Sequence, residues 1–156
     1  LGTATPEGKP SEGHAWNIVK LGVNYYHVDV TWDSCAYAKT EKVSHSHLNM
    51  TDSDAAQDHQ WDKNLLPHCN HNALNYYIVN KTHFATEEAF KLYFINGLKN
   101  GQKSFEVRFE NKPKDQKDMS NIIQRIMQSR QFSLFSGYSY SFSYDTNRGT
   151  VSIRVN

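Results

Sequence analysis

The sequence predicts a mixed α+β protein built around antiparallel strands. Aromatic residues make up 13% of the 156 residues, and this composition favours β-structure. Hairpin patterns stand at both ends, AWNIVKLGVNYYHVDVTWD near the start and YSYSFSY-DTNRG-TVSIRV at the finish. Two segments with helical spacing of apolar residues precede the second hairpin. Strands and helices in separate runs are typical of the α+β class.

The first hairpin predicts a contact between an imidazole and a carboxylate. A turn at Gly22–Val23 places glycine at the first central position, as a type II′ turn prefers. In that register His14 faces Thr31 and Trp16 faces Asp29, with all four side chains on one face. His14 and Asp29 are then diagonal neighbours, with Cβ atoms somewhat under ~7–8 Å apart. One hydrogen bond can close that gap.

The pattern is weaker between the first hairpin and residue 75. VSHSHLNM alternates and is interpreted as a strand, and NYYIVN as a further strand. TDSDAAQDH predicts a short helix with Thr51 or Asp52 as its N-cap. The stretch WDKNLLPHCNHNALN is predicted to be irregular.

The second half has clearer periodicity. A helix is predicted from Thr86 to Gly101, followed by a strand in KSFEVRFE, a second helix and the final hairpin, in which Gly149 is available for a positive φ. The apolar faces of the two helices are Phe90, Tyr93, Phe94 and Leu98, then Met119, Ile122, Ile123, Ile126 and Met127. We therefore expect residues 81–156 to form a small helix-strand-helix-hairpin lobe packed on residues 1–80.

Composition and charge exclude several classes of protein. With 17 basic and 16 acidic residues the net charge is +1, which gives no reason to expect nucleic acid or a membrane surface as partner. No apolar run is long enough for membrane insertion. The chain starts at Leu1 without a signal pattern and is interpreted as a piece of something longer. Cys35 and Cys69 could pair or be unrelated thiols, and the compartment stays open.

A His–Asp pair has a defined use in catalysis. The carboxylate fixes the tautomer of the ring and stabilises the imidazolium that forms when the other nitrogen takes a proton. A nearby imidazolium also lowers the pKa of a cysteine thiol, so that the reactive thiolate persists at neutral pH. From the residue pattern alone, a purely structural pair is the commoner alternative.

The stretch from Gly13 to Asp33, GHAWNIVKLGVNYYHVDVTWD, resembles the His–Asp hairpin of the transglutaminase-like superfamily in its bacterial branch. The family form is HAWN, a turn, and then (W/Y)YHVD(V/P)TWD. The resemblance implies half of a papain-like core, in which His14 is the catalytic base and acid and Asp29 orients it. The supporting positions that it implies are Trp16, Asn17 and Trp32. His27 lies on the opposite strand face and is interpreted as structural or surface-exposed.

The family also has a cysteine at the start of a helix some tens of residues before the histidine, and none precedes His14 here. Cys35 follows Asp29, in the wrong chain order and without a helix N-terminus to activate it. The nucleophile is therefore expected from outside this chain, which alone should be inactive.

The resemblance implies a cysteine hydrolase or acyltransferase acting on a peptide or protein substrate, with peptide hydrolysis ahead of cross-linking. The rival is a non-catalytic module that binds peptide or glycan, or a structural part of a bacterial surface protein. An extracellular or cell-surface location is favoured, and the oligomeric state is left open.

Eight histidines raise the question of a metal. Five of them cluster in the middle of the chain: His45, His47, His59, His68 and His71. No Cys-x-x-Cys or His-Glu-x-x-His spacing is present, so we expect neither a metal nor another cofactor. These histidines are predicted to be solvated or to cap helices.

Overall fold

A computed structural model of the chain describes residues 1–6, 8–35, 43–132, 135 and 137–156. The chain divides into two compact units, Leu1–Lys81 and Thr82–Asn156. Helices and mainly antiparallel strands occur in both, which confirms the α+β class. Within the described ranges, every helix is too short or too polar to cross a membrane.

In its described residues, the first unit has two small antiparallel sheets and three short helices. Its strands are β1 (Gly2–Ala4), β2 (Glu12–His14), β3 (Asn17–Leu21), β4 (Asn24–Val28) and β5 (His59–Gln60). Its helices are α1 (Val30–Cys35), α2 (Asp52–Ala55) and α3 (Tyr76–Val79). One sheet has the order β2-β1-β5, and β3 and β4 form a separate two-stranded ribbon.

The β3–β4 ribbon has the predicted turn and register. Asn17 pairs with Val28 and Leu21 with Asn24, on either side of Gly22–Val23. Gly22 has a φ of 64°, whereas Val23 is not at positive φ. This combination fits a type II′ turn and excludes type I′, which requires positive φ at both positions.

The prediction that the paired strands of this ribbon extend to His14 and Thr31 is wrong at both ends. His14 lies in β2 and pairs with Gly2 of β1, so it does not face Thr31. Thr31 lies in α1, because the Asp29 carboxylate accepts hydrogen bonds from the backbone N–H groups of Thr31 and Trp32 and so caps the start of a helix. N-capping by Asp29 outweighs the β-propensity of VTWD.

The middle of the first unit matches the predictions in part. Thr51 caps α2 in a capping box with Asp54, as predicted, and residues 61–75 form neither helix nor strand. The predicted strand in VSHSHLNM is wrong, since only Met50 forms a bridge, with His27. NYYIVN is helical rather than extended, because the Asn75 side chain accepts the N–H of Tyr77 and starts α3.

The second unit has the predicted order of helix, strand, helix and hairpin. Its elements are β6 (His83–Phe84), α4 (Glu87–Lys99), β7 (Ser104–Phe109), α5 (Gln116–Met127), β8 (Tyr140–Asp145) and β9 (Thr150–Val155). The sheet order is β6-β7-β9-β8, in which only β6 and β7 are parallel. The two-residue strand β6 was not predicted.

One aromatic and aliphatic core holds the second unit together. Most residues of the two predicted helix faces are buried in it, with Phe90, Phe94, Met119 and Ile123 fully inaccessible. Tyr93 and Met127 are partly buried and pack against this core. Full burial of one such side chain contributes roughly 1.5–3 kcal/mol. The alternate residues of β7, Phe105, Val107 and Phe109, complete the predicted strand face.

Candidate active site

His14 and Asp29 are in direct contact in the first unit. His14 Nε2 lies 2.5 Å from Asp29 Oδ2. The Asp29 side chain is almost fully buried, whereas that of His14 keeps 12% of its surface exposed. Within the described residues, Nδ1 of His14 has no hydrogen-bond partner. One nitrogen of this ring is therefore held by a carboxylate and the other is available.

The two carboxylate oxygens of Asp29 contact different groups. Oδ1 accepts the backbone N–H groups of Thr31 and Trp32, and Oδ2 meets the imidazoles of His14 and His59. Burial alone would raise the pKa of Asp29, but the hydrogen bonds of His59, His14 and the Trp32 amide, with the charge of His14, lower it to about 2. Asp29 is therefore a carboxylate at neutral pH.

His59 is a second histidine on the same carboxylate. Its Nε2 lies 3.0 Å from Asp29 Oδ2 and its Nδ1 lies 2.5 Å from Asp58 Oδ1. Both His59 and Asp58 are buried. A neutral imidazole carries one N–H, so it can donate to only one of two carboxylates. His59 therefore needs a cation at its other nitrogen, either a second proton or a metal ion.

The network of imidazoles and carboxylates continues beyond Asp58. His47 Nε2 lies 3.6 Å from Asp58 Oδ2, and His47 Nδ1 lies 3.3 Å from Asp33 Oδ1. Asp33 also accepts the backbone N–H of His47, which fixes this segment against α1. Histidines and aspartates thus alternate from the partly exposed ring of His14 to a buried end at Asp33.

His27 belongs to a neighbouring network and is structural. It is fully buried, and its Nδ1 lies 2.9 Å from Trp16 Nε1. Because an indole N–H can only donate, Nδ1 of His27 must be unprotonated. The ring proton is then on Nε2, which lies 2.8 Å from Asp52 Oδ1. His27 is therefore a neutral imidazole held between Trp16 and Asp52.

Aromatic rings surround the histidines. Trp16 and Trp32 contact the ring of His59, with centroids 4.6 and 4.8 Å apart, and Trp32 also contacts His14 at 5.3 Å. Both tryptophans thus limit how far His14 and His59 can turn. Asn17 is exposed at the start of β3. Of the three residues named as supporting positions, the two tryptophans contact the histidines.

The structure describes both cysteines, and both are free thiols. Cys69 is fully buried, and burial together with the charge of Asp52 raises the pKa of its thiol to about 12. Cys35 is exposed at the end of α1. Neither thiol makes a hydrogen bond with His14. The open alternative of a disulfide is thus resolved in favour of two unrelated thiols.

Sequence reasoning missed His59, Asp58 and His47. The expectation that the clustered histidines are solvated or cap helices is wrong for His47 and His59, which are buried, whereas His68 and His71 are exposed. His59 reaches Asp29 because β5 pairs with β1, where Ala4 faces His59. A two-residue strand leaves no periodic signal in the sequence, so the pattern gave no indication that His59 reaches Asp29.

Comparisons of the chain with protein-family models and with curated proteins found no match.

Proposed function

We propose that His14 and Asp29 are the histidine and aspartate of a transglutaminase-like site for thiolate-dependent acyl transfer. The observation that carries the proposal is the 2.5 Å contact between His14 Nε2 and Asp29 Oδ2, which leaves Nδ1 available on a partly exposed ring. The sequence segments HAWN and YYHVDVTWD add the resemblance to that superfamily.

In the proposed reaction, His14 Nδ1 accepts the proton of a cysteine thiol. The thiolate attacks the carbonyl carbon of an amide, and the imidazolium returns its proton to the leaving amine as the C–N bond breaks. Water or a second amine then resolves the thioester, with His14 again as base. Asp29 stabilises the imidazolium throughout, because its pKa of about 2 keeps it ionised.

The thiolate in this proposal comes from polypeptide outside this chain. Cys69 is unsuited, since burial keeps its thiol protonated, and Cys35 makes no hydrogen bond with His14 among the described residues. We favour peptide hydrolysis over cross-linking, with a peptide or protein as substrate. The rival function is a non-catalytic module that binds peptide or glycan, or a structural part of a bacterial surface protein. The observation in its favour is that, within the described residues, neither free thiol makes a hydrogen bond with His14.

The test is the reactivity of cysteine in the longer polypeptide that would supply the proposed thiolate, here called the parent. Iodoacetamide labelling at pH 7 is followed by peptide mass spectrometry for the parent, for His14→Ala and for the control His71→Ala, an exposed histidine. We expect one cysteine to be labelled roughly tenfold more slowly in His14→Ala, since its thiol pKa returns towards 8.5, and no change in the control. Equal rates in all three proteins would contradict the proposal and favour the non-catalytic module.

A further inference from the structure

The first unit contains two groups of potential metal ligands. Within the described residues, His14, Asp29 and His59 form one group, and His27, Asp52 and Cys69 form the other. In each group, the ligand atoms lie within 4.8 Å of one another. Protonation states and the partners of each ring decide which group can bind a cation.

The group of His27 is unsuited to a metal. Trp16 Nε1 donates to Nδ1 of His27, so the ring proton occupies Nε2, the nitrogen that a metal would need. Metal binding there would require either an imidazolate or loss of the hydrogen bond from Trp16. The buried thiol of Cys69 would also have to ionise beside Asp52, against a pKa that burial raises to about 12.

The group of His14 has the opposite arrangement. His59 Nδ1 lies 2.5 Å from Asp58 Oδ1 and Nε2 lies 3.0 Å from Asp29 Oδ2. In the metal-bound form, His59 would keep its single proton on Nδ1, donate it to Asp58, and present the lone pair of Nε2 to an ion beside Asp29 Oδ2. A carboxylate that holds the distal nitrogen of a histidine is the usual second contact of a metal-bound imidazole. His59 lies between the carboxylates of Asp29 and Asp58, and a neutral imidazole can donate a proton to only one of them. A metal ion between His59 Nε2 and Asp29 Oδ2 would supply the positive charge on the other side.

The candidate ligand atoms of Asp29 and His14 lie close to the same position beside His59 Nε2. Asp29 Oδ1 is occupied by two backbone N–H groups, which leaves Oδ2 for the cation. Nε2 of His14 approaches this oxygen at 2.5 Å and Nε2 of His59 at 3.0 Å. Tetrahedral coordination at about 2.0–2.1 Å per bond separates ligand atoms by roughly 3.3 Å. The His59 contact nearly meets this separation, and His14 must withdraw by under about 1 Å.

We propose that His14, Asp29 and His59 form a site for a divalent transition-metal ion of the zinc class, with Asp58 orienting His59. Two imidazoles and one carboxylate suit such ions and disfavour Mg²⁺, which prefers oxygen ligands. The partly exposed side of His14 leaves a further coordination position open to water or an anion.

The metal would occupy the nitrogen by which His14 contacts Asp29. A bound ion would therefore separate His14 from its carboxylate and suppress the proposed acyl transfer rather than assist it. The metal site does not depend on that function, since the ligands all lie within this chain whether or not a thiolate reaches His14. The two proposals accordingly fail in different experiments.

Titration calorimetry of this chain with zinc chloride, with magnesium chloride as the control salt, tests the site. We expect one zinc per chain and no magnesium binding. His14→Gln and His59→Gln should each weaken zinc by more than about tenfold, and Asp58→Asn by about 10–100-fold. His68→Gln and Cys69→Ser should leave the affinity unchanged. Tryptophan fluorescence verifies that each variant is folded.

X-ray absorption of the zinc-loaded chain tests the same site without any substitution. The expected first shell contains only nitrogen and oxygen at about 2.0–2.1 Å. A sulfur neighbour near 2.3 Å would place zinc at one of the two free thiols, Cys35 or Cys69, and overturn the proposal. So would the absence of zinc binding, or an affinity that His14→Gln leaves unchanged.

Discussion

His59 Nε2 lies 3.0 Å from Asp29 Oδ2, the oxygen that His14 Nε2 approaches at 2.5 Å. Two imidazoles thus share one acceptor, and the buried His59 receives additional support from Asp58. The Asp29 carboxylate contacts two backbone N–H groups and two imidazoles. We therefore expect it to contribute much of the stability of the first unit. Its removal should affect stability as well as the orientation of His14.

We expect Asp29→Asn to lower the free energy of unfolding of the first unit by about 3 kcal/mol, because His59 and His14 lose a buried charged partner. Urea unfolding followed by tryptophan fluorescence measures this unit selectively, since Trp16, Trp32 and Trp61 are the protein's three tryptophans. The control is Asp62→Asn, an exposed position where we expect a change within about 0.5 kcal/mol. Similar losses in both variants would contradict the structural role of Asp29.

Acid should weaken the first unit in a defined pH range. The pKa of Asp29 is lowered from 3.8 to about 2 in the folded protein, so folding favours the ionised form. Its stabilising contribution is complete above about pH 4 and is lost as the pH falls towards 2. We expect a loss on the order of 2 kcal/mol from this group. Asp52, whose pKa is also lowered, acts in the same direction.

Unfolding of the wild type and of Asp29→Asn at pH 5, 4, 3 and 2 checks this dependence. The slope between pH 4 and 2 should be shallower in the variant. Parallel curves for the two proteins would show that the folded and unfolded pKa values of Asp29 are the same.

Trp16→Phe removes the N–H that donates to His27 Nδ1. We expect a loss of about 1 kcal/mol from the hydrogen bond, because a buried acceptor is left without its donor. Trp61→Phe is the matched control, since within the described residues the indole N–H of Trp61 has no acceptor. Urea unfolding by fluorescence of the remaining tryptophans measures both. An equal loss in the two variants would mean that ring packing, rather than the hydrogen bond, accounts for the effect.

Gly97→Ala should destabilise the second unit, although alanine is the better helix former. A Cβ at position 97 would lie 2.4 Å from a ring carbon of Phe105 and 2.8 Å from the Gln102 side-chain oxygen. The clash is expected to cost about 1–3 kcal/mol. Asn96→Ala, at an exposed neighbouring position of α4, should be neutral or slightly stabilising.

Far-UV circular dichroism at 222 nm reports mainly on this unit, because α4 and α5 are the two longest helices described. A gain in stability for Gly97→Ala would show that β7 can move away from α4 at little cost.

The second unit was largely predictable because its elements are long and periodic. Phe90, Phe94 and Leu98 repeat at helical spacing, and Phe105, Val107 and Phe109 alternate. The local pattern and the tertiary burial agree there. By contrast, β6 consists of only two residues, which is too short for any period to appear.

The first unit was predictable only where a local turn dominates. Gly22 sets the register of the β3–β4 ribbon, and the expected contact between His14 and Asp29 is present. The elements that bring the two side chains together differ from the predicted hairpin, because Asp29 caps α1 and His14 belongs to the β2-β1-β5 sheet. Pairing between strands distant in sequence places His59, and no local pattern could anticipate it.

The proposed acyl transfer requires that Asp29 holds Nε2 of His14 and leaves Nδ1 as the reacting nitrogen. Long-range ¹H–¹⁵N correlation spectra of the histidine-labelled chain, with His14→Gln used to assign the signals, measure this directly. In the neutral ring we expect a proton on Nε2 and an unprotonated Nδ1, and we expect Asp29→Asn to alter the balance between tautomers. A proton on Nδ1 of neutral His14, or a tautomer equilibrium that Asp29→Asn leaves unchanged, would contradict it.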